Sequence, residues 1–469
     1  MISFSGIDIY IIILFFAAVV GIGFISGKKS SGTADDYLLS GRKVGLFLFI
    51  LTNVSTWYGG ILGVGEFTYR YGLVSWFTQG LPYYIFAFLF AIFFAGKIRK
   101  ASLFTIPDKL SEVYGNTAGL ISAVLVFVLV SPAPYLLMTA NLLTLFFDIG
   151  IIAALIISLL ISISYLIYGG FRSNVYTDAF QFFVMFGGFI VLVLILIFSN
   201  GFGMLQNNLP PAHLKLTGEA SPAFILVWFL IALWTFADPG FHQRCYAAKD
   251  ENTAVKGIIY SIFFWALFDF LTTTSGLFAR AMLPDIETPV LAYPLLAEKV
   301  LSPGVRGLFY AALFATIMST LNSFLFLSGT TIGRDFIYRL KKQQRESLLK
   351  KYTIIGLIIS GILSIILAYK IPSVIEIWYT IGSFCIPGII LPVVSAYYEK
   401  LRIDRKIIII EILTASLLSI SWFFIRAKIN DVLTIQQIEP MLVGFTAALI
   451  IHMSGFFIKS SSLKQRQDN

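Results

Sequence analysis

Between Phe309 and Arg339 the chain reads FYAALFATIMSTLNSFLFLSGTTIGRDFIYR, a stretch apolar enough to cross a membrane that still carries Thr316, Ser319, Thr320, Asn322 and Ser323. On a helix, residues three and four apart share a face, so Thr316, Ser319, Thr320 and Ser323 form one stripe of oxygens, with Asn322 beside it. Hydrocarbon tolerates few idle polar groups, and such a stripe can coordinate a hard cation. A single membrane-buried hydroxyl could simply bond back to the carbonyl one turn earlier and make no site. Five oxygen-bearing side chains in so short a window, leaving through Gly333, Arg334 and Asp335, argue for a site.

Two carboxylates could join that stripe. In YGGFRSNVYTDAFQFFVMFGGF, Asp178 lies about one helical turn inside the membrane beyond Arg172, at a depth similar to that of Ser323. It either caps the helix that follows or serves as a cation ligand. In WALFDFLTTTSGL, Asp269 falls midway between Lys256 and Arg280. A carboxylate at mid-membrane depth is a functional candidate by default, the alternative being a carboxyl satisfied by neighbours such as Thr272 and Thr273.

The elements that must hold these groups follow from composition. The chain has 469 residues, 58% hydrophobic and 13% charged, with a mean hydropathy of +0.85, as repeated apolar spans produce. Sustained apolarity predicts an all-α membrane protein of about 13 transmembrane helices. The spans are roughly 7–26, 45–67, 73–97, 117–146, 150–169, 175–199, 222–246, 255–284, 307–333, 352–370, 374–397, 406–426 and 437–458. The segment 7–26 has no basic residues before it and no small-x-small cleavage site after it, so it reads as a retained span. The net charge of +9 sits in short blocks between spans, which membrane topology explains and nucleic-acid binding does not. With the N-terminus outside, most of the 34 Lys and Arg residues fall on the inner side, among them Lys28, Lys29, Lys97, Arg99, Lys100, Arg244, Lys341, Lys342, Lys350, Lys351, Lys400 and Arg405. That orientation leaves the C-terminus in the cytoplasm. The two cysteines, Cys245 and Cys385, make no disulfide or zinc pattern and read as free thiols. With only three histidines, no HExxH and no nucleophile beside a base, the chain is not expected to be an enzyme.

Two spans are interrupted. Gly59, Gly60, Gly63 and Gly65 weaken the second beside Asn53, Ser55 and Thr56, and Asp238-Pro239-Gly240 breaks the seventh. The breaks are five spans apart. Discontinuous helices at matching positions in two halves point to a binding site at a repeat interface, with freed carbonyls available to an ion. Close packing alone is the other reading of such glycines. The pocket is expected between the two breaks, lined by Ser55, Trp57, Tyr58, Trp234 and Asp238, with Asp269 near it.

DDYLLSGRKVG, YGGFRSNVYTDAFQ, ADPGFHQRCYAAKD and above all MSTLNSFLFLSGTTIGRDFIYR together resemble the sodium:solute symporter family over nearly the whole chain. The resemblance implies the leucine-transporter type of fold as one domain: an N-terminal helix at 7–26, a 5+5 inverted repeat at 45–199 and 222–397, two C-terminal helices within 406–458, and a cytoplasmic tail at 459–469. It implies a sodium ion held by the carbonyls of Leu51, Val54 and Thr316 and the hydroxyls of Ser319 and Thr320. It also implies a second, deeper sodium at Asp178, Asn322 and Ser323, although some members have Ser where Asn322 stands. Trp57 matches the proline-transporting branch, whereas Asn53 replaces an acid there, so proline is not singled out.

The expected function is sodium-coupled import of a small neutral or zwitterionic organic solute, an amino acid, sugar or polyol, across the plasma membrane. Its partners would be the solute, sodium and the lipid bilayer, with no obligatory protein partner. The charge class rests on an absence: no Lys or Arg falls mid-span, the nearest being Arg70, Arg172 and Arg280 at span ends, and the third core helix, AVLVFVLVSPAPYLLMTANLL, has nothing basic to meet an acid. The alternatives are a carboxylate symporter and a solute-sensing receptor of the same fold. The short polar stretch after Ile458 argues against an attached signalling domain.

Overall fold

In the computed structural model, residues 4–30, 32–341, 345–371, 373–426, 428–429 and 438–467 are described. Lys342, position 437 at the start of the last predicted span and positions 468–469 of the predicted tail lie outside them. Regular structure among the described residues is helical. Among the described residues, 11 helices are long and apolar enough to cross a membrane. The expected thirteen arises only by counting the 50-residue helix Ile151–Asn200 as two crossings and adding the broken pair Leu46–Ser55 and Ile61–Tyr71 as one.

The helices used below are α1 (Gly6–Gly27), α2 (Leu46–Ser55), α3 (Ile61–Tyr71), α4 (Val74–Ala101), α5 (Ile106–Tyr114), α6 (Asn116–Phe147), α7 (Ile151–Asn200) and α8 (Pro222–Ile231). They continue with α9 (Pro239–Ala247), α10 (Glu251–Met282), α11 (Ala292–Val300), α12 (Val305–Tyr338), α13 (Leu349–Lys370), α14 (Val374–Tyr397), α15 (Arg405–Arg426) and α16 (Pro440–Gln467). One order of elements occurs twice. A broken helix (α2 and α3, then α8 and α9) is followed by a long helix (α4, α10), a short helix (α5, α11), a long helix (α6, α12) and two more helical segments. In the first set those last two are the halves of α7; in the second they are α13 and α14.

A straight 50-residue helix would be about 75 Å long, more than twice the hydrocarbon thickness. At Gly170 (φ 60°, ψ −141°) α7 turns back on itself, and a Cβ there would collide with the Tyr37 carbonyl, so both the angle and the close approach require glycine.

Burial ranks the helices. Of the most apolar stretch of α12, 94% is buried, against 28% for α1, which puts α12 at the centre and α1 against lipid. The two are pinned at one end by Asp8, which completes a capping box with Ser5 and accepts from Arg306 Nη2 at 2.7 Å and from the Gly304 and Gly307 amides at 2.8 and 2.9 Å. At the other end of α12, Asp108 pairs with Arg334 and Arg339, and Thr105 donates to Asp335 at 2.9 Å, clamping α5 to it.

Candidate functional site

The interruption in α2 creates the acceptors of the first cluster. The helix ends at Ser55, and Thr56, Trp57, Tyr58, Gly59 and Gly60 cross to α3 without regular helical bonding, which leaves the last carbonyls of α2 short of partners. Two α12 hydroxyls meet them. Ser319 Oγ donates to the Ser55 carbonyl at 2.7 Å and to the Thr316 carbonyl at 3.1 Å, and Thr320 Oγ1 donates to the Thr56 carbonyl at 2.9 Å. The Ser319 contacts are buried, and the Thr320 contact is partly so. The approach needs Gly59, because a Cβ there would stand 2.5 Å from Thr320 Oγ1.

Oxygens of hydroxyls and freed carbonyls, without nitrogen or sulfur, are the donor set that hard cations take. The hydroxyls turn to the carbonyls of Ser55 and Thr56, which directly follow Val54 and lie about one turn beyond Leu51. The Val54 carbonyl accepts from Trp57 N–H at 3.2 Å, and Leu51 lies buried within the last turns of α2. The stripe is therefore divided. Thr316 Oγ1 bonds back to Ala312 at 2.7 Å, as an isolated hydroxyl does, and only its carbonyl faces Ser319.

A second cluster lies one turn along α12. Asp178 stands about two turns beyond Gly170 within α7, so the capping role considered for it is ruled out by position. Its Oδ2 accepts from Thr52 Oγ1 at 2.5 Å and from Asn174 Nδ2 at 3.1 Å, and Asn174 also donates to Ser323 Oγ at 2.8 Å. Into this group reaches Arg244 of α9, whose Nη2 lies 3.2 Å from Thr52 Oγ1, 2.9 Å from Ser323 Oγ and 3.6 Å from Asp178 Oδ2. Asn322 makes no hydrogen bond here; its amide faces Tyr165.

Arg244 corrects the sequence reading. The sequence places it as a cytoplasmic border charge, yet its side chain is 2% exposed. The signal available was its position, four residues after Gly240, one helical turn beyond the Asp238-Pro239 break.

Around the α2–α3 interruption the rings close on one another. Trp57 lies 5.0 Å from Tyr83, 5.1 Å from Trp265 and 5.4 Å from Phe241, centroid to centroid. Tyr58 Oη donates to the Trp265 carbonyl at 2.8 Å. Asp269 accepts from Tyr84 of α4 and faces Tyr58, whereas Thr272, expected as its partner, donates to the backbone carbonyl of Asp269 at 3.2 Å. Asp238 caps α9, accepting from Phe241 N–H at 2.8 Å, with Trp234 beside it in the 3-10 turn between α8 and α9. The Ser55 hydroxyl turns back toward Thr52 at 3.4 Å. Of the expected lining residues, Trp57 and Tyr58 meet the neighbourhood of Asp269 through Trp265, and Asp238 approaches Tyr83. Tyr83, Tyr84, Phe241 and Trp265 were missed; Trp265 and Asp269, four apart on α10, were legible as one face.

Two interrupted helices around an oxygen-lined, deeply buried centre define a secondary transporter. The family model for the sodium:solute symporter family matches residues 37–401, and the chain belongs to that family. It is 28% identical to the sodium/pantothenate symporter of Escherichia coli strain K12 over 80% of each chain. It is 27% identical to the high-affinity choline transporter 1 of Drosophila melanogaster, over 81% of this chain and 64% of that one, and 23% identical to sodium/proline symporters of Staphylococcus aureus, over 97% and 95%. Its fold is that of a solved Na+-coupled sialic acid symporter in a substrate-bound, outward-open state, with a TM-score of 0.83 at 16% identity over 97% of this chain and 98% of that one. The protein is a multi-span membrane transporter rather than an enzyme, and sodium is its co-transported ion.

Proposed function

We propose that the chain imports a small neutral or zwitterionic organic solute across the plasma membrane by alternating access, driven by sodium, with its N-terminus outside and its C-terminus in the cytoplasm. The observation that carries this reading is the crossing of Ser319 and Thr320 from α12 to the interrupted end of α2. In this proposal sodium binds there through the carbonyls of Leu51, Val54 and Thr316 and the two hydroxyls. On its arrival the hydroxyl protons release the Ser55 and Thr56 carbonyls and present their lone pairs to the ion. The segment Thr56–Gly60 is then drawn onto α12, which reshapes the adjoining pocket at Trp57, Tyr58, Trp234, Asp238 and Asp269. By linkage, sodium and solute raise each other's affinity by one factor.

Relatives are named for pantothenate, choline and proline, an anion, a cation and a zwitterion, so kinship leaves the charge class open. Two features of this chain support the neutral or zwitterionic class. Among the described residues no lysine is buried, and the two buried arginines, Arg244 and Arg306, each face an aspartate. Among the described residues a free carboxylate would find no uncommitted buried side-chain cation, while Asp269, held by tyrosine hydroxyls, can face an ammonium or a hydroxyl group. Uptake into proteoliposomes of amino acids, sugars, polyols, choline and carboxylates, with and without a sodium gradient, tests the reading. Saturable sodium-driven uptake of a net anion, with no competition from neutral or zwitterionic solutes, would overturn the charge class.

A further inference from the structure

The deeper cluster has the makings of a cation site: a carboxylate and two hydroxyls from three helices, with Asp178, Thr52 and Ser323 each at most 1% exposed. A cation already stands in it. Arg244 Nη2 contacts Ser323 Oγ at 2.9 Å and Thr52 Oγ1 at 3.2 Å, and lies 3.6 Å from Asp178 Oδ2. Its other terminal nitrogen is tied to the Gly240 carbonyl at 3.2 Å, one turn back toward the break between α8 and α9.

We infer that Arg244 is the resident cation of this deeper site, held there by its own helix, so that the protein couples to one sodium ion per cycle. The inference rests on the sodium-coupled reading above. Three physical points support it. A guanidinium presents fixed N–H donors, which suits three oxygen acceptors grouped on one side of it. An Asp178 carboxylate buried in a membrane protein needs a positive partner, and Arg244 supplies one without any ion from solution. Once that charge is in place, a sodium ion in the same cluster would bring like charges together in a dry site. Asn322, the third ligand expected for a second sodium, makes no bond into the cluster. The pairing also has a mechanical consequence. Arg244 rides on the second broken helix and Thr52 on the first, so Asp178 and Ser323 hold both to α7 and α12 until α9 moves.

The test counts sodium. Binding of 22Na+ to the purified wild-type protein in detergent, without solute, is expected to saturate at about one ion per chain, and the sodium dependence of uptake to have a Hill slope of about one. Arg244→Gln removes the resident charge and leaves the oxygens, so the slope is expected to rise toward about two, with a second bound ion. Adding Asp178→Asn to that variant should return the slope to about one, and Arg244→Lys should keep it there. Two ions bound to the wild type, or an Arg244→Gln protein that folds and binds one, would overturn the inference. If Arg244→Gln does not fold, the wild-type ion count and the Arg244→Lys slope decide it. Absence of any sodium-driven uptake, with one ion still bound, would sink the transport reading and the coupling stoichiometry with it, and leave standing only the placement of Arg244 as the cation of the deeper site.

Discussion

Replacing both crossing hydroxyls, Ser319→Ala with Thr320→Ala, is the perturbation whose outcome the geometry specifies best. In the arrangement described, the hydroxyls make neutral hydrogen bonds to carbonyls at 2.7, 3.1 and 2.9 Å. Such bonds contribute about 1 kcal/mol each, whereas interactions with a charged group contribute about 1.5–3 kcal/mol. Sodium binding exchanges the first kind for the second. The substitution therefore removes more from the bound state than from the free state, by about 1 kcal/mol per hydroxyl or about 2 kcal/mol for the pair. That corresponds to a rise in the sodium concentration for half-maximal uptake of about thirtyfold, with tenfold, or about 1.4 kcal/mol, as the floor. The assay is sodium activation of solute uptake in proteoliposomes, paired with 22Na+ binding to the detergent-purified protein. Thr331→Val is the control on the same helix: Thr331 Oγ1 only bonds back to Leu327 at 2.9 Å, so its loss should leave the sodium requirement within about twofold. A double variant that folds, binds solute and needs no more sodium than the wild type would refute the reasoning and make the stripe a packing device.

Three further outcomes follow from single contacts. Gly59→Ala should abolish sodium-driven uptake while Gly187→Ala, where an added Cβ meets nothing within 4 Å, should not, as the same transport assay on both variants would reveal. Asp269→Asn keeps an acceptor for Tyr84 and removes the charge; if the carboxylate faces an ammonium, KM should rise about tenfold for amino acids and stay within twofold for polyols, a loss of about 1.4 kcal/mol. Equal effects on both substrate classes would remove Asp269 from solute recognition. In the connection between α7 and α8, burial holds the pKa of His213 below its ordinary value, so protonation favours the unfolded chain. The contribution of that connection to stability is thus present above about pH 6.5 and declines as pH falls below it. Thermal unfolding between pH 7.5 and 5.5 should reveal the decline, and a His213→Gln protein with the same pH slope would contradict it.

Composition and periodicity settled what kind of molecule this is, because about 20 apolar residues per span have few alternatives to a membrane helix. The two interruptions were legible for the same local reason: Gly59-Gly60 weakens a helix beside polar residues and Asp238-Pro239-Gly240 breaks its hydrogen-bond ladder, without reference to the rest of the chain. The oxygen stripe of α12 was legible too, since helical periodicity puts Ser319 and Thr320 on neighbouring faces without reference to the rest of the chain. What each group meets was decided only by tertiary structure. Whether a hydroxyl bonds back, as Thr316 does, or crosses to another helix, as Ser319 does, depends on carbonyls 264 residues away in sequence. Likewise Asp178 reads as a helix cap or a ligand until Arg244, at the end of another span, arrives beside it and turns a border charge into a buried partner. Local rules constrain backbone conformation and side-chain direction one helix at a time. The partner of a buried charge is chosen by how the helices pack, and there desolvation leaves little choice but to find one.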